Sequence, residues 1–283
     1  MKKNQLVTLW VITCCLLFSC HKPDFPGAIK GCQLIKIESR IPAIGNGYTY
    51  LCTYNNQRLL DTLKWGPDFL PFKPMVLDIQ YNAQSLPVMM KDAFTNSKLI
   101  YQNGRIIRID QLGTDNLYHV KYTFSSDAHG RIIERISSED TVRWEYPQGN
   151  SRNFIRRIYK QVGKSYEWGL LDEYLYDHKV NPRATWPNML LNPFSFEIYE
   201  FVSSSFEPIP ENNWTYQKSI GRNGDGSVFN YQELFHSYEY DNVYPVLDHI
   251  RQVQHTPLNG DRETLSEIRY TYECKEHNNG HLQ

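Results

Sequence analysis

Five aromatic residues, Trp144, Tyr146, Trp168, Trp186 and Trp214, are the best candidates to hold a ligand. Flat apolar rings with polar rims stack on sugars and cell-wall polymers. The same rings also pack cores and sheet edges, and a chain with 20 Tyr, 13 Phe and 6 Trp has ample need of that use. Asn223, Asp225 and Ser227 stand at alternate positions in GRNGDGSVF, a calcium-loop spacing, but the distal Glu of an EF-hand is missing. Asn-Gly and Asp-Gly are equally good hairpin tips, so no metal ligand is assigned. His119, His129, His178, His236 and His249 are scattered without an HExxH pair, and no G-x-S-x-G elbow or phosphate-cradling glycine loop occurs. Glu134 and Glu173 are carboxylates that strands could bring together for hydrolysis. No catalytic residue and no cofactor follow from these patterns.

The six cysteines divide by position. Cys14, Cys15 and Cys20 lie in or at the end of an apolar leader, leaving Cys32, Cys52 and Cys274. Three thiols cannot all pair. Cys32 with Cys52 is the favoured disulfide because both lie on neighbouring expected strands. A Cys274 staple of the chain ends, or unpaired buried thiols, are the alternatives.

The leader itself, MKKNQLVTLWVITCCLLFSC, has two lysines and then an apolar run from Leu6 to Phe18 that is short for a spanning helix. Leu17, Phe18, Ser19 and Cys20 resemble a bacterial lipobox, which implies cleavage of residues 1–19 and lipid on Cys20. Residues 20–31, HKPDFPGAIKG after the cysteine, read as a flexible tether. The expected location is the outer membrane, lipid-anchored, on its periplasmic or cell-surface face. Removing Lys2 and Lys3 takes the formal charge from 30 − 31 = −1 to 28 − 31 = −3. That balance argues against a nucleic-acid partner. The expected partners are the membrane, through Cys20, and a glycan or an envelope protein.

The elements that would position these residues are hairpins. In LIYQNGRII, Asn103-Gly104 is a type I′ turn signal that sets Tyr101 opposite Ile106 and Ile100 opposite Ile107. Asp127 to Ile136, DAHGRIIERI, repeats the polar turn followed by Gly, Arg and two Ile. Its alternation places Ile132 and Ile136 on one face and Ile133 with Arg131 and Arg135 on the other. YTYLCTYNN, DEYLYDHKVNP and HSYEYDN repeat a Tyr-x-Tyr opening, and Asp177 and Asp241 are expected to bond turn amides.

These units resemble the tyrosine-aspartate (YD) repeats of RHS-type proteins and, more closely, a Bacteroidetes family of envelope lipoproteins of unknown activity. The resemblance implies an all-β lipoprotein and supplies no catalytic residue. The expected fold is all-β: repeated antiparallel hairpins in a long twisted sheet or an open, barrel-like sheet, with a short irregular or helical insertion. Residues 32–275 form one repeat-built domain, the proline-rich insertion covers about 182–215, and 276–283 form a polar tail. The expected function is a non-catalytic binding or structural module of the envelope. A glycan-binding module in polysaccharide capture and a glycan hydrolase are the alternatives.

Overall fold

A computed structural model describes residues 32–41, 45–68, 73–161, 170–184, 186, 190–191, 206–222, 227–256 and 260–274. Cys20, Trp168, Asn223, Asp225, the leader, the tether and the tail lie outside the described residues. The strands are β1 (Cys32–Ile41), β2 (Asn46–Tyr54), β3 (Leu60–Pro67), β4 (Met75–Tyr81), β5 (Pro87–Lys91), β6 (Asn96–Gln102), β7 (Arg105–Leu112), β8 (Tyr118–Ser126) and β9 (Ile132–Ile136). They continue as β10 (Asp140–Glu145), β11 (Arg156–Gln161), β12 (Leu170–Val180), β13 (Leu190–Leu191), β14 (Phe206–Glu207), β15 (Asn212–Arg222), β16 (Val228–Asp241), β17 (Tyr244–Thr256) and β18 (Gly260–Cys274).

The expected open sheet is corrected to a closed antiparallel barrel of 16 strands. β1 is bonded along both edges, from Cys32↔Cys274 to Arg40↔Glu267 on β18 and from Lys36↔Leu51 to Ile41↔Asn46 on β2. Closure pairs the edge amides and carbonyls that an open sheet would leave bare. The likeness to tyrosine-aspartate repeat lipoproteins fails for the same reason, because the repeated units are successive staves of one closed wall. No helix occurs among the described residues of 182–215; they hold a turn at 182–184, the isolated β13–β14 pair and the start of β15.

The disulfide is also corrected. Cys32 joins Cys274, 242 residues away, and Cys52 is a free buried thiol. Cys52 sits on β2 opposite Leu63 of β3, and β1 registers with β2 from Lys36↔Leu51 to Ile41↔Asn46, a stretch that does not include Cys32.

The recurring turns now have a cause. Asn55, Asn82 and Asp127 each accept two backbone N–H bonds through Oδ1, two and four residues ahead. Each loop then needs one left-handed residue, supplied by Arg58 (φ 63°), Ser85 (φ 61°) and Gly130 (φ 80°). The arginine after the turn laces one hairpin to the next. Arg105 donates to the carbonyls of Asp127 and Ala128, and Arg131 to those of Gly149 and Ser151. Asn103-Gly104 has both φ positive, as a type I′ turn requires, and Tyr101 faces Ile106. A bulge then sets Ile100 against Arg108, not Ile107.

Tyrosines close the end of the barrel that holds the disulfide, here the seam end. Tyr54, Tyr81, Tyr146, Tyr176 and Tyr272 each donate to a carbonyl at or near the start of the strand before their own: Leu34, Leu60, Ile132, Phe154 and Pro245. Burial raises all five phenols well above their ordinary range, so they remain donors.

Alternation sorts the wall into two faces. Ile37, Leu63, Leu77, Ile79, Met90, Leu99, Ile109 and Val142 point inward and form one core across the barrel. Outward positions carry Lys36, Arg108, Arg143, Arg156, Lys218 and Arg251. Arg143 bonds Glu134, Arg156 bonds Glu173 and Arg251 bonds Glu263 across neighbouring strands. The expected facing in RIIERI is corrected by a bulge opposite Ser125 and Ser126. Ile132 and Arg135 are buried, while Ile136 is exposed.

Candidate functional site: the barrel lumen

One inward row crosses six strands in direct register: Trp144, Arg157, Asp172, Ser219, Gln232 and Gln254. Asp172 is fully buried and takes a bond from Arg157 Nε at 2.6 Å. The next row toward the seam end holds Tyr174, Gln217, Leu234, Gln252 and Thr264. Behind it lie His236, Ile250 and Ser266, then Tyr238, Asp248 and Ile268. His236 Nδ1 stands 2.9 Å from Asp248 Oδ2, with both side chains buried. Asp172 Oδ1, Asp248 Oδ1, His236 Nε2 and Trp144 Nε1 are buried with no hydrogen-bond partner among the described residues.

The seam end of the lumen is filled. The turn after β12 tucks Asn181, Pro182, Ala184 and Trp186 inward, and Trp186 Nε1 donates to Tyr54 Oη across the barrel at 3.3 Å. Phe154 is buried there too, edge-on to Tyr174 with ring centroids 4.9 Å apart. Tyr240 bonds the Asp177 carboxylate, which also accepts from the Lys179 amide. Asp177 and Lys179 both lie within β12, so this is a strand amide and not the turn amide expected, and Asp241 accepts from the Asn242 side chain.

At the other end the wall is uneven. β17 and β18 pair down to Thr256↔Gly260, whereas β1 meets β18 no further than Glu267. Residues 260–266 and their β17 partners therefore extend beyond the last β1–β18 pair, Arg40↔Glu267, as a lip. Its inner face carries Gln252, Gln254, Thr264 and Ser266, all half-buried, and the exposed Arg262 opposite Gln254.

Trp168 lies outside the described residues, and the four described members of the aromatic set sit in or against the core. Trp144 and Trp186 are 2% and 1% exposed, inside the core. Tyr146 is packed against that core under the Arg131 guanidinium, and Trp214 lies against Tyr174. Glu134 and Glu173 face outward on different strands, each held by an arginine. Among the described residues no group of three or more His, Cys, Asp or Glu is placed to hold a metal. Sequence reasoning missed the luminal amides. Their signal was the alternate spacing Gln252-x-Gln254 and Gln232-x-Leu234-x-His236, which does not say which face is inward.

The closed barrel resembles the fold of a porin-like protein. The chain superposes on the crystal structure of a porin-like protein from Bacteroides uniformis with a TM-score of 0.52 at 14% identity, covering 85% of this chain and 96% of that one. At that identity the likeness concerns the fold alone. A structure of TcdB2-TccC3 matches at a TM-score of 0.31 and 9% identity over 80% of this chain and 12% of that one, a level that carries no structural argument. No family model and no curated protein matches the chain.

Proposed function

We propose that this chain is a non-catalytic barrel of the outer-membrane envelope, held at the membrane by lipid on Cys20 and not threaded through it. The observation that supports this reading is the sorting of its two faces. A barrel embedded in lipid carries an outward apolar band and a polar interior, and an Arg or Lys on the lipid face costs about 2–4 kcal/mol at the midplane. Here Arg108, Arg143, Arg156, Lys218 and Arg251 face outward on five strands, while the lumen holds the apolar core. Among the described residues, Phe154 and Trp186 are buried at the seam end of the lumen. The barrel is thus porin-like in topology and reversed in the solvent that each face suits. Its role is to present a rigid wall and a shaped mouth to a partner, glycan or protein.

Detergent phase partition and planar-bilayer recording test the reading together. The lipidated chain should enter the detergent phase, Cys20→Ser should move to the aqueous phase, and neither should give conductance steps. A Cys20→Ser chain that still needs detergent, or that opens discrete channels, would refute it.

A further inference from the structure

We infer that the outer wall of β11, β12, β15 and β16 docks a second copy of this chain, side by side and pointing the same way. The inference rests on the reading of a water-facing wall. Three outward rows cross these strands in direct register. Ile158, Leu171, Ile220 and Tyr231 form the row away from the seam end, and Leu175, Tyr216 and Phe235 form the row nearest it. Between them run Arg156, Glu173, Lys218 and Glu233, alternating in sign. Leu175 is 62% and Phe235 36% exposed, and among the described residues no other element packs over this face. Its apolar and aromatic side chains outnumber its charged ones, a mixture that marks a contact surface.

The order of the charges selects the occupant. Read from β11 to β16 they run plus, minus, plus, minus, so a partner must present the reverse order. A second copy does so when a two-fold axis runs along the strands between β12 and β15. Arg156 then meets Glu233 of the partner subunit, and Glu173 meets Lys218 of the partner subunit. The same rotation sets Leu171 against the partner subunit's Ile220 and Leu175 against the partner subunit's Tyr216. An axis laid across the strands would instead put each charge against its own copy, a repulsive arrangement. The two copies therefore point the same way, and both seam ends, where β1 begins at Cys32, face one membrane.

Strands about 4.8 Å apart and rows about 7 Å apart give a face of roughly 20 Å by 20 Å. A standard interface uses about 800 Å² per partner, so this smaller one makes a reversible dimer in the micromolar range. In the dilute chain the face, Leu175 included, stays open to water.

The test is sedimentation velocity of the Cys20→Ser chain from about 1 to about 200 µM. A monomer–dimer equilibrium is expected. Lys218→Glu and Glu173→Lys should each weaken self-association by about tenfold or more, because each puts like charges across the axis. Mixed together, the two variants should form a heterodimer about as tightly as the wild type does, since each supplies the charge that the other has lost. That recovery also shows that both variants are folded. Lys36→Glu, on β1, should leave association unchanged. A wild type that stays monomeric throughout, single variants that associate as the wild type does, or a mixture that stays monomeric would overturn the inference. A soluble monomer would overturn the dimer alone and leave the face to another occupant. A Cys20→Ser chain soluble only in detergent would overturn the water-facing reading and the dimer with it.

Discussion

Tyr176 donates its phenolic proton to the carbonyl of Phe154, 2.7 Å away and 22 residues earlier. The bond ties the end of β12 to the chain entering β11, and four other tyrosines repeat it around the seam end. Tyr176→Phe removes the bond alone and should cost about 1 kcal/mol, or more if the carbonyl is left dry. Tyr176→Ala also empties the space against Phe154 and should cost about 3–5 kcal/mol. Urea unfolding of the two variants would show the difference, and equal losses would mean that the hydroxyl contributes nothing.

The seam is covalent as well as hydrogen-bonded. Cys274→Ser, or reduction of the wild type, should lower stability by about 2–5 kcal/mol, since the Cys32–Cys274 bond closes nearly the whole chain. Burial pushes the Cys52 thiol up to about 12, so it should resist alkylation in the native barrel and react on unfolding. Mass spectrometry after alkylation at mild pH would check both points. Native labelling of Cys52 would mean that β2 opens.

Ser85 holds a left-handed conformation that L residues pay about 1 kcal/mol or more to adopt. Ser85→Gly should therefore raise the thermal midpoint, whereas Gly130→Ala, at φ 80°, should lower it. A loss from Ser85→Gly would imply that its side chain supports the loop more than its backbone strains it.

Burial acts to raise the Asp127 carboxyl, but the Arg131 guanidinium and two backbone amides outweigh it and hold the group below the usual aspartate value. A depressed carboxylate stabilises the fold above its unfolded value, and that contribution is lost as pH falls through the folded one. Wild-type stability should decline from roughly pH 4.5 downward, and Asp127→Asn should flatten that decline. Parallel slopes for the two proteins between pH 5 and pH 3, taken as rough limits, would remove Asp127 from the account.

Local structure was legible because its causes are local. Asn103-Gly104 demands positive φ at both positions, and the Asn or Asp that opens each longer loop bonds amides two and four residues on. What binds β1 to β18 is not local: Ile37 and Tyr270 pair across more than two hundred residues, and no spacing in either segment announces the other. The facing of RIIERI failed because one bulge, invisible in the hexapeptide, reverses the alternation beyond Ile133. Trp144 and Trp186 could not be sorted in the sequence, because a tryptophan is as well suited to a core as to a sugar, and the barrel places both in its core. The candidate site lay in glutamines whose chemistry is unremarkable until the barrel shows which way they face.

The central claim is that the outer wall faces water and the lumen is packed. Spin labels at Leu175→Cys, 62% exposed on the outer wall, and at Ile136→Cys test it most directly in the lipidated chain on vesicles. Before labelling, Cys52→Ser removes the competing thiol. The account predicts collision with a water-soluble nickel chelate at both sites and little enhancement by oxygen. Labels shielded from nickel and relaxed by oxygen would place the wall in lipid and contradict it.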